Sequence, residues 1–180
     1  NNLSLSGWKN LAAETKVGDN GVVTELQQTV AGEVTYLEGN WPVGLPSGVI
    51  HADLFPDNVF FLNGKLSGII DFYFACNDYF AYEIAVCLNA WCFDTDGNFN
   101  IAKARNLIQG YNSVRPMGSD ELEALPILAR GAALRFLLTR LYDWLNHPKD
   151  AFVNPKDPLE YLNKLKFHQN VRDLAAYGFN

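Results

Sequence analysis

A predicted β-hairpin constrains the fold of this chain more than any other feature. Residues 59–62 and 66–70 are short, largely apolar runs, and Asn63-Gly64 between them is typical of a tight two-residue turn. Such a turn brings the end of the second strand back beside the start of the first. We therefore expect Asp71, which follows the second strand, to lie close to Asn58, which precedes the first.

Polar residues around this hairpin match the catalytic pattern of kinases, H-x-D-x-x-x-x-N followed by a second Asp beyond a hairpin. In that pattern the first Asp accepts the proton of the substrate hydroxyl, while the Asn and the second Asp hold Mg²⁺. Asp53, Asn58 and Asp71 fill these places, which favours phosphoryl transfer from ATP. We expect His51 to brace the loop by hydrogen bonds rather than act as an acid or base, and Asp57 to be solvated.

The sequence around these residues resembles small-molecule kinases more than protein kinases. Asp71-Phe72 is followed by Tyr73, where a protein kinase has Gly, and His51-Ala-Asp-Leu resembles the His-Gly-Asp-Leu loop of the aminoglycoside phosphotransferase and choline kinase superfamily. Within that superfamily the chain resembles the homoserine kinases, and the similarity runs from about residue 41 to residue 168. The blocks that carry it are residues 48–59, 68–78, 88–92 and 129–144.

This resemblance implies an α+β, mainly α fold: a protein-kinase-like C-terminal lobe, in which a helical bundle carries a small catalytic β-hairpin. It also implies ATP-dependent phosphorylation of the hydroxyl of L-homoserine to O-phospho-L-homoserine, a step of threonine biosynthesis, with ATP and Mg²⁺ as cofactors. Asp53 is then the catalytic residue, and Asn58 and Asp71 bind the metal and, through it, the nucleotide.

A homoserine acceptor would also need residues that bind its charged ends. Its carboxylate favours an arginine, and its ammonium favours a carboxylate partner. We expect Arg135 or Arg140, on a long apolar helix, to bind the carboxylate, and Asp78 to be the candidate for the ammonium.

Structural roles compete with these substrate contacts. One or more of the arginines of the long helix, Arg130 included, is predicted to form an ion pair with Asp143 or Glu123. Asn77-Asp78 is predicted to cap the helix that follows it. Three aromatic residues are expected in the core or the cleft wall rather than in a cation-binding box: Trp91, Tyr142 and Trp144.

Two alternatives to homoserine phosphorylation stay open. In the first alternative, the acceptor is another small hydroxyl compound, such as choline, an aminoglycoside or hydroxylysine; a purely cationic acceptor would make the arginines dispensable. In the second alternative, the chain is a catalytically silent interaction module. The intact set of Asp53, Asn58 and Asp71 argues against that reading, since a silent descendant has no chemical reason to keep all three.

Residues before His51 lack the parts with which a complete kinase covers ATP: a glycine-rich strand turn, a strand lysine and a helix glutamate. Residues 39–48 contain three glycines, but prolines interrupt them, which is typical of a loop. We therefore expect residues 1–180 to form a single kinase-like C-terminal lobe, whose partner is an ATP-covering N-terminal lobe upstream of residue 1.

Composition predicts one packed domain, because 180 residues with 48% hydrophobic content can bury a sizeable core. The net charge of −6 argues against a nucleic-acid partner or an anionic membrane surface, which both favour a basic face. No secretory signal or membrane span is evident, so we expect a cytoplasmic protein. The three cysteines are expected to be reduced thiols without zinc.

Hydrophobic periodicity predicts helices on both sides of the hairpin. The first begins at Asp19-Asn20 and ends at Trp41-Pro42, and a strongly apolar helix covers residues 79–92. Further helices are predicted over residues 101–114, residues 119–146 with a bend at Pro126, and residues 158–177.

Overall fold

Helices form most of the fold, and four short strands lie between the second and third helix. The computed structural model describes residues 3–15, 21–147 and 155–179. The helices of these ranges are α1 Leu5–Glu14, α2 Gly21–Asn40, α3 Phe80–Trp91, α4 Ile101–Val114, α5 Ser119–Asn146 and α6 Pro158–Gln169. The strands are β1 Ser47–Ile50, β2 Val59–Leu62, β3 Lys65–Ile69 and β4 Cys76–Tyr79. The predicted α+β, mainly α fold class is confirmed.

The predicted hairpin is present. β2 and β3 pair antiparallel, with Val59 opposite Ile69. Asn63 and Gly64 adopt φ values of 52° and 73°, the left-handed conformation that a tight turn of this kind requires at both positions. The hairpin therefore places the residues that precede β2 beside those that follow β3, as expected.

A second sheet was not predicted. β1 and β4 pair antiparallel, with Gly48 opposite Asp78. The prediction that Asn77-Asp78 caps the next helix is wrong, since residue 79 is the N-cap of α3 and no side chain caps that end. The extended backbone of β4 keeps Asp78 in the sheet, where its Oδ1 accepts a hydrogen bond from the N–H of Tyr79 at 2.8 Å.

Most predicted helices are confirmed. α4 and α5 have the predicted bounds, and α3 starts one residue after its predicted start. The predicted start of the first long helix at Asp19-Asn20 lies outside the described residues. The prediction of one helix over residues 158–177 is wrong: α6 ends at Gln169, and a separate 3₁₀ turn follows at Leu174–Tyr177 because the Asp173 side chain accepts the N–H of Ala175.

The core lies between α3, α5 and α6. α3 is buried around most of its circumference, as its apolar sequence predicts, and α5 packs against it along its central turns. α5 remains helical through Pro126, and its first turn is held by Glu121, whose Oε2 accepts the N–H of Gly118 at 3.1 Å. These contacts fix one face of α5 beneath the loop that precedes β2.

Within the described ranges, no helix has the length and apolar character needed to cross a membrane. The cysteines are free thiols: Cys87 and Cys92 are buried, and Cys76 is half-buried in β4.

Candidate active site

A cleft of about 310 Å³ lies between the loop before β2, the end of the hairpin and α5. Asp53, Asn58 and Asp71 line it from the loop and hairpin. Arg135, Arg140 and Asp143 line it from α5. The structure thus brings together the polar residues that the sequence pattern predicted, although they come from three separate backbone segments.

Asn58 is bonded directly to Asp53. Its Nδ2 donates to the backbone oxygen of Asp53 at 2.9 Å and approaches the carboxylate Oδ2 at 3.4 Å. The same residue is tied to the hairpin, because its backbone oxygen accepts the N–H of Ile70 at 3.0 Å. Since both bonds to Asp53 use Nδ2, the Oδ1 of Asn58 is left as a free acceptor toward described residues.

Asp71 adopts a left-handed backbone conformation, with φ 63° and ψ 57°. Ala52, beside Asp53, also has a positive φ, 61°. Non-glycine residues rarely adopt this conformation, and such strain is concentrated at functional sites where the surrounding structure holds it in place. Both sharp turns redirect the chain next to a carboxylate of the cleft.

His51 bridges the loop and the hairpin. Its Nδ1 accepts the N–H of Asp53 at 3.3 Å, and its Nε2 lies 2.9 Å from the backbone oxygen of Ile70. An acceptor at Nδ1 and a carbonyl partner at Nε2 require the neutral tautomer with the proton on Nε2. These are the contacts of a bracing residue, and they hold the segments that carry Asp53 and Asp71 at a fixed separation.

Burial and neighbouring charges act on Asp53 in opposite directions. Removal from water raises the pKa of the Asp53 carboxyl above its ordinary value, and the charge of Arg135 partly offsets this shift. The Asp71 carboxylate, another of the four acidic side chains that line the cleft, raises the pKa of Asp53 further. A more basic carboxylate is a better proton acceptor.

The arginines of α5 have different environments. Arg135 is 2% exposed, and its Nη1 donates to the backbone oxygen of Ala52. Arg140 pairs with Glu160 at 2.6 Å. Arg130 lies outside the cleft and pairs with Glu33 of α2 at 2.7 Å.

The predicted ion pairs of the α5 arginines are wrong. The ion pairs of Arg130 and Arg140 are not with Asp143 or Glu123, because α5 turns these arginines toward α2 and α6. Asp78 lies on β4 and does not line this cleft, and its contact with the acceptor ammonium stays a prediction.

The aromatic prediction holds only in part. Trp91 is half-buried, and its Nε1 donates to the backbone oxygen of Leu54 at 2.8 Å. Tyr142 and Trp144 are 37% and 52% exposed and do not line the cleft, so the prediction that they lie in the core or the cleft wall is wrong. They follow Leu141, the last buried residue of α5, and project from its exposed end.

Comparison with known proteins shows the family of this chain. A model of the phosphotransferase enzyme family matches residues 4–117, more than half of the chain. The chain belongs to this family. The match includes the loop of residues 51–58, the hairpin and α3, and it ends before α5.

Individual phosphotransferase relatives are similar over the whole chain. A homoserine kinase of Xanthobacter autotrophicus is 62% identical over 99% of the chain, one of Azorhizobium caulinodans 61% over 99%, and one of Rhizobium etli strain CIAT 652 56% over 100%. The predicted resemblance is therefore confirmed, and it extends beyond residues 41–168. The chain spans 56% of the length of each of these relatives.

Sequence reasoning missed Glu83, a residue of α3 that holds the start of the loop before β2. Its Oε2 accepts the backbone N–H groups of His51 and of Ala52, the latter at 3.0 Å. Burial raises the pKa of the Glu83 carboxyl, and these backbone bonds partly offset the shift. The available signal was a single carboxylate in the first turn of the apolar helix α3, since a buried acid requires partners.

Sequence reasoning also missed the loop contacts of Trp91 and Arg135. Together with Glu83 they bind backbone groups of residues 51, 52 and 54 from two different helices. The loop is therefore preorganised by one buried partner, Arg135, and two half-buried partners, Glu83 and Trp91.

Proposed function

We propose that this chain transfers the γ-phosphoryl group of ATP to the hydroxyl of L-homoserine, giving O-phospho-L-homoserine, and so acts in threonine biosynthesis. The observation that carries the proposal is the convergence of Asp53, Asn58 and Asp71 on one cleft, in a chain similar to homoserine kinases. Phosphoryl transfer needs positioning and charge neutralisation more than covalent chemistry, and a braced polar cleft provides both.

Asp53 is the proposed catalytic base. Its carboxylate would accept the proton of the acceptor hydroxyl as that oxygen attacks the γ-phosphorus. The Asn58 amide and the Ala52 turn hold the carboxylate in place, and the charge of Arg135 partly opposes the rise in pKa that burial causes.

Asn58 and Asp71 fit a magnesium site. Both offer oxygen atoms to the cleft, and neither the Asn58 Oδ1 nor the Asp71 carboxylate accepts a hydrogen bond within the described part of the chain. Oxygen ligands suit Mg²⁺, which is commonly held by one or two protein side chains together with substrate phosphates. When bound, the ion neutralises the charge of the β- and γ-phosphates. The same two residues thereby anchor ATP.

We further propose that an ATP-covering lobe completes the site in the full-length protein. Exposed apolar side chains on and beside the hairpin support this second proposal. Phe61, Leu62 and Leu66 of the hairpin are 58–67% exposed, and Phe72 just beyond it is 58% exposed. Large exposed apolar surfaces are typical of contact sites. The 180-residue chain alone would then be inactive.

An acceptor panel tests the function. The full-length protein with Mg·ATP is supplied with L-homoserine, choline, an aminoglycoside or hydroxylysine at equal concentration, and ADP release is measured with and without acceptor. We expect homoserine to give the largest kcat/KM. Preference for another acceptor would leave phosphoryl transfer standing and exclude homoserine as the substrate. No acceptor-dependent turnover at all would favour the interaction module.

A further inference from the structure

α5 carries two opposite charges one turn apart in the cleft that contains Asp53. Arg140 and Asp143 are separated by three positions, so their side chains share one face of the helix. Both line the cleft. The residues form no ion pair with each other, because the guanidinium of Arg140 is engaged elsewhere. Asp143 is therefore left without Arg140 as an ion-pair partner, although the two side chains line the same cleft.

Arg140 is held firmly on its protein side. Its Nη1 donates to Glu160 Oε2 at 2.6 Å and to the backbone oxygen of Asp157 at 3.2 Å, and its guanidinium lies 4.4 Å from the centre of the Tyr161 ring. Within the described residues, its Nε and Nη2 make no hydrogen bond. These donors can bind a planar anion such as a carboxylate.

Glu160 does not cancel the charge of Arg140. The same carboxylate also binds Lys164 through its other oxygen, at 2.6 Å. Two cations therefore share one anion, and of these three side chains only Arg140 lines the cleft. Glu160 thus fixes the position of Arg140 while the site stays attractive to an anionic ligand.

Asp143 offers the complementary charge. It is exposed, and its carboxylate makes no hydrogen bond or ion pair with any residue in the described ranges. An acidic side chain at a cleft wall, one turn from a fixed arginine, is the partner that an ammonium group favours.

We propose that Asp143 binds the ammonium and Arg140 the carboxylate of a zwitterionic amino-acid acceptor, with Glu160 as the positioning residue for Arg140. This assignment rests on the proposed function. It separates the arginines by role: Arg135, which is 2% exposed and bonded to the Ala52 carbonyl, supports the catalytic loop. Arg140 binds the carboxylate of the acceptor.

Substrate analogues test the assignment in the full-length enzyme. Asp143→Asn and Arg140→Gln are compared with wild type on L-homoserine, on 4-hydroxybutyrate, which lacks the ammonium, and on 3-aminopropan-1-ol, which lacks the carboxylate. We expect each variant to raise the KM for homoserine about 10- to 100-fold, the range for loss of a charged hydrogen bond, while the KM for ATP stays unchanged.

The analogues separate the two ends of the acceptor. Asp143→Asn should behave like wild type on 4-hydroxybutyrate, and Arg140→Gln like wild type on 3-aminopropan-1-ol, since each analogue lacks the group that the lost side chain binds. Glu160→Gln should raise the KM for homoserine less than Arg140→Gln, and Arg140→Lys should restore part of the loss in KM. A purely structural role would not produce this substrate-dependent pattern.

Matched controls remove the same charges elsewhere. Glu123→Gln removes an exposed carboxylate from the same helix, and Arg172→Gln removes an exposed arginine beyond α6. Neither should change the KM for homoserine. If wild type phosphorylates homoserine but Asp143→Asn and Arg140→Gln leave its KM unchanged, the assignment is overturned and the proposed function stands. A wild-type enzyme that does not phosphorylate homoserine overturns both.

Discussion

At the scale of single residues, the proposed role of Asp53 as the base can be tested most directly. Asp53→Asn keeps the size of the side chain but removes the proton acceptor, so we expect kcat to fall about 10²- to 10⁴-fold. The KM for ATP should hardly change, because the proposed base acts on the acceptor hydroxyl and not on the nucleotide. The control is Asp57→Asn, whose side chain is 85% exposed on the same loop. Turnover near the wild-type value in Asp53→Asn would show that another group is the base.

Asp53 also makes the stability of the protein depend on pH. Because burial raises its pKa in the folded state, the folded protein binds this proton more tightly than the unfolded chain. Its contribution to stability is present below the ordinary aspartate pKa, about 3.9, and is lost as the pH rises through the raised value. Asp53→Asn does not titrate. Its free energy of unfolding, measured by urea denaturation, should therefore rise relative to wild type as the pH increases from about 3.5 to 7. A constant difference across this range would contradict the shift.

At the scale of secondary-structure elements, α5 depends on a glycine at its contact with the N-terminal helices. A Cβ on Gly131 would overlap the Trp41 ring and lie 2.9 Å from Trp8. Although alanine favours helix by about 1 kcal/mol, we expect Gly131→Ala to lower the free energy of unfolding by about 1–3 kcal/mol, because the packed indoles cannot move freely. Gly110→Ala in α4 is the control, since a Cβ there meets nothing within 4 Å. It should be neutral or stabilising in the same urea titration.

The elements that could be predicted are those with local signals. Asn63-Gly64 determines the hairpin turn, and the apolar periodicity of α4 and α5 gives their bounds. β4 has no such signal: its Cys-Asn-Asp-Tyr sequence lacks apolar alternation, and it forms only because β1 pairs with it. α6 ends before its predicted end, because a local hydrogen bond of the Asp173 side chain starts a new turn that competes with continuation of the helix.

At the scale of the whole molecule, the site depends on contacts that no local pattern contains. The loop of residues 51–58 is bound by Glu83 and by Arg135, which are 32 and 83 residues away from their partners His51 and Ala52. Arg130 finds its carboxylate 97 residues away, in α2. The sequence therefore predicted the residues of the candidate site from their spacing. The side chains that hold these residues in place depend on how α2, α3, α5 and α6 pack. An amphipathic pattern does not specify which charged residues of two helices meet.

The exposed apolar face of the hairpin leads to a prediction about the complete protein. Phe61 is 60% exposed in this chain, so Phe61→Glu should change the unfolding free energy of the 180-residue chain by less than about 0.5 kcal/mol. In the full-length protein an ATP-covering lobe packed on this face would bury the new charge, at a cost of several kcal/mol unless it is paired. We therefore expect Phe61→Glu to reduce kinase activity and lower the thermal unfolding temperature of the full-length protein only.

Val114→Glu is the matched control, because Val114 is an apolar residue 87% exposed at the end of α4. It should have no effect in either protein. Equal tolerance of both substitutions in the full-length enzyme, or kinase activity of the 180-residue chain at the full-length rate, would show that no lobe docks on the hairpin face.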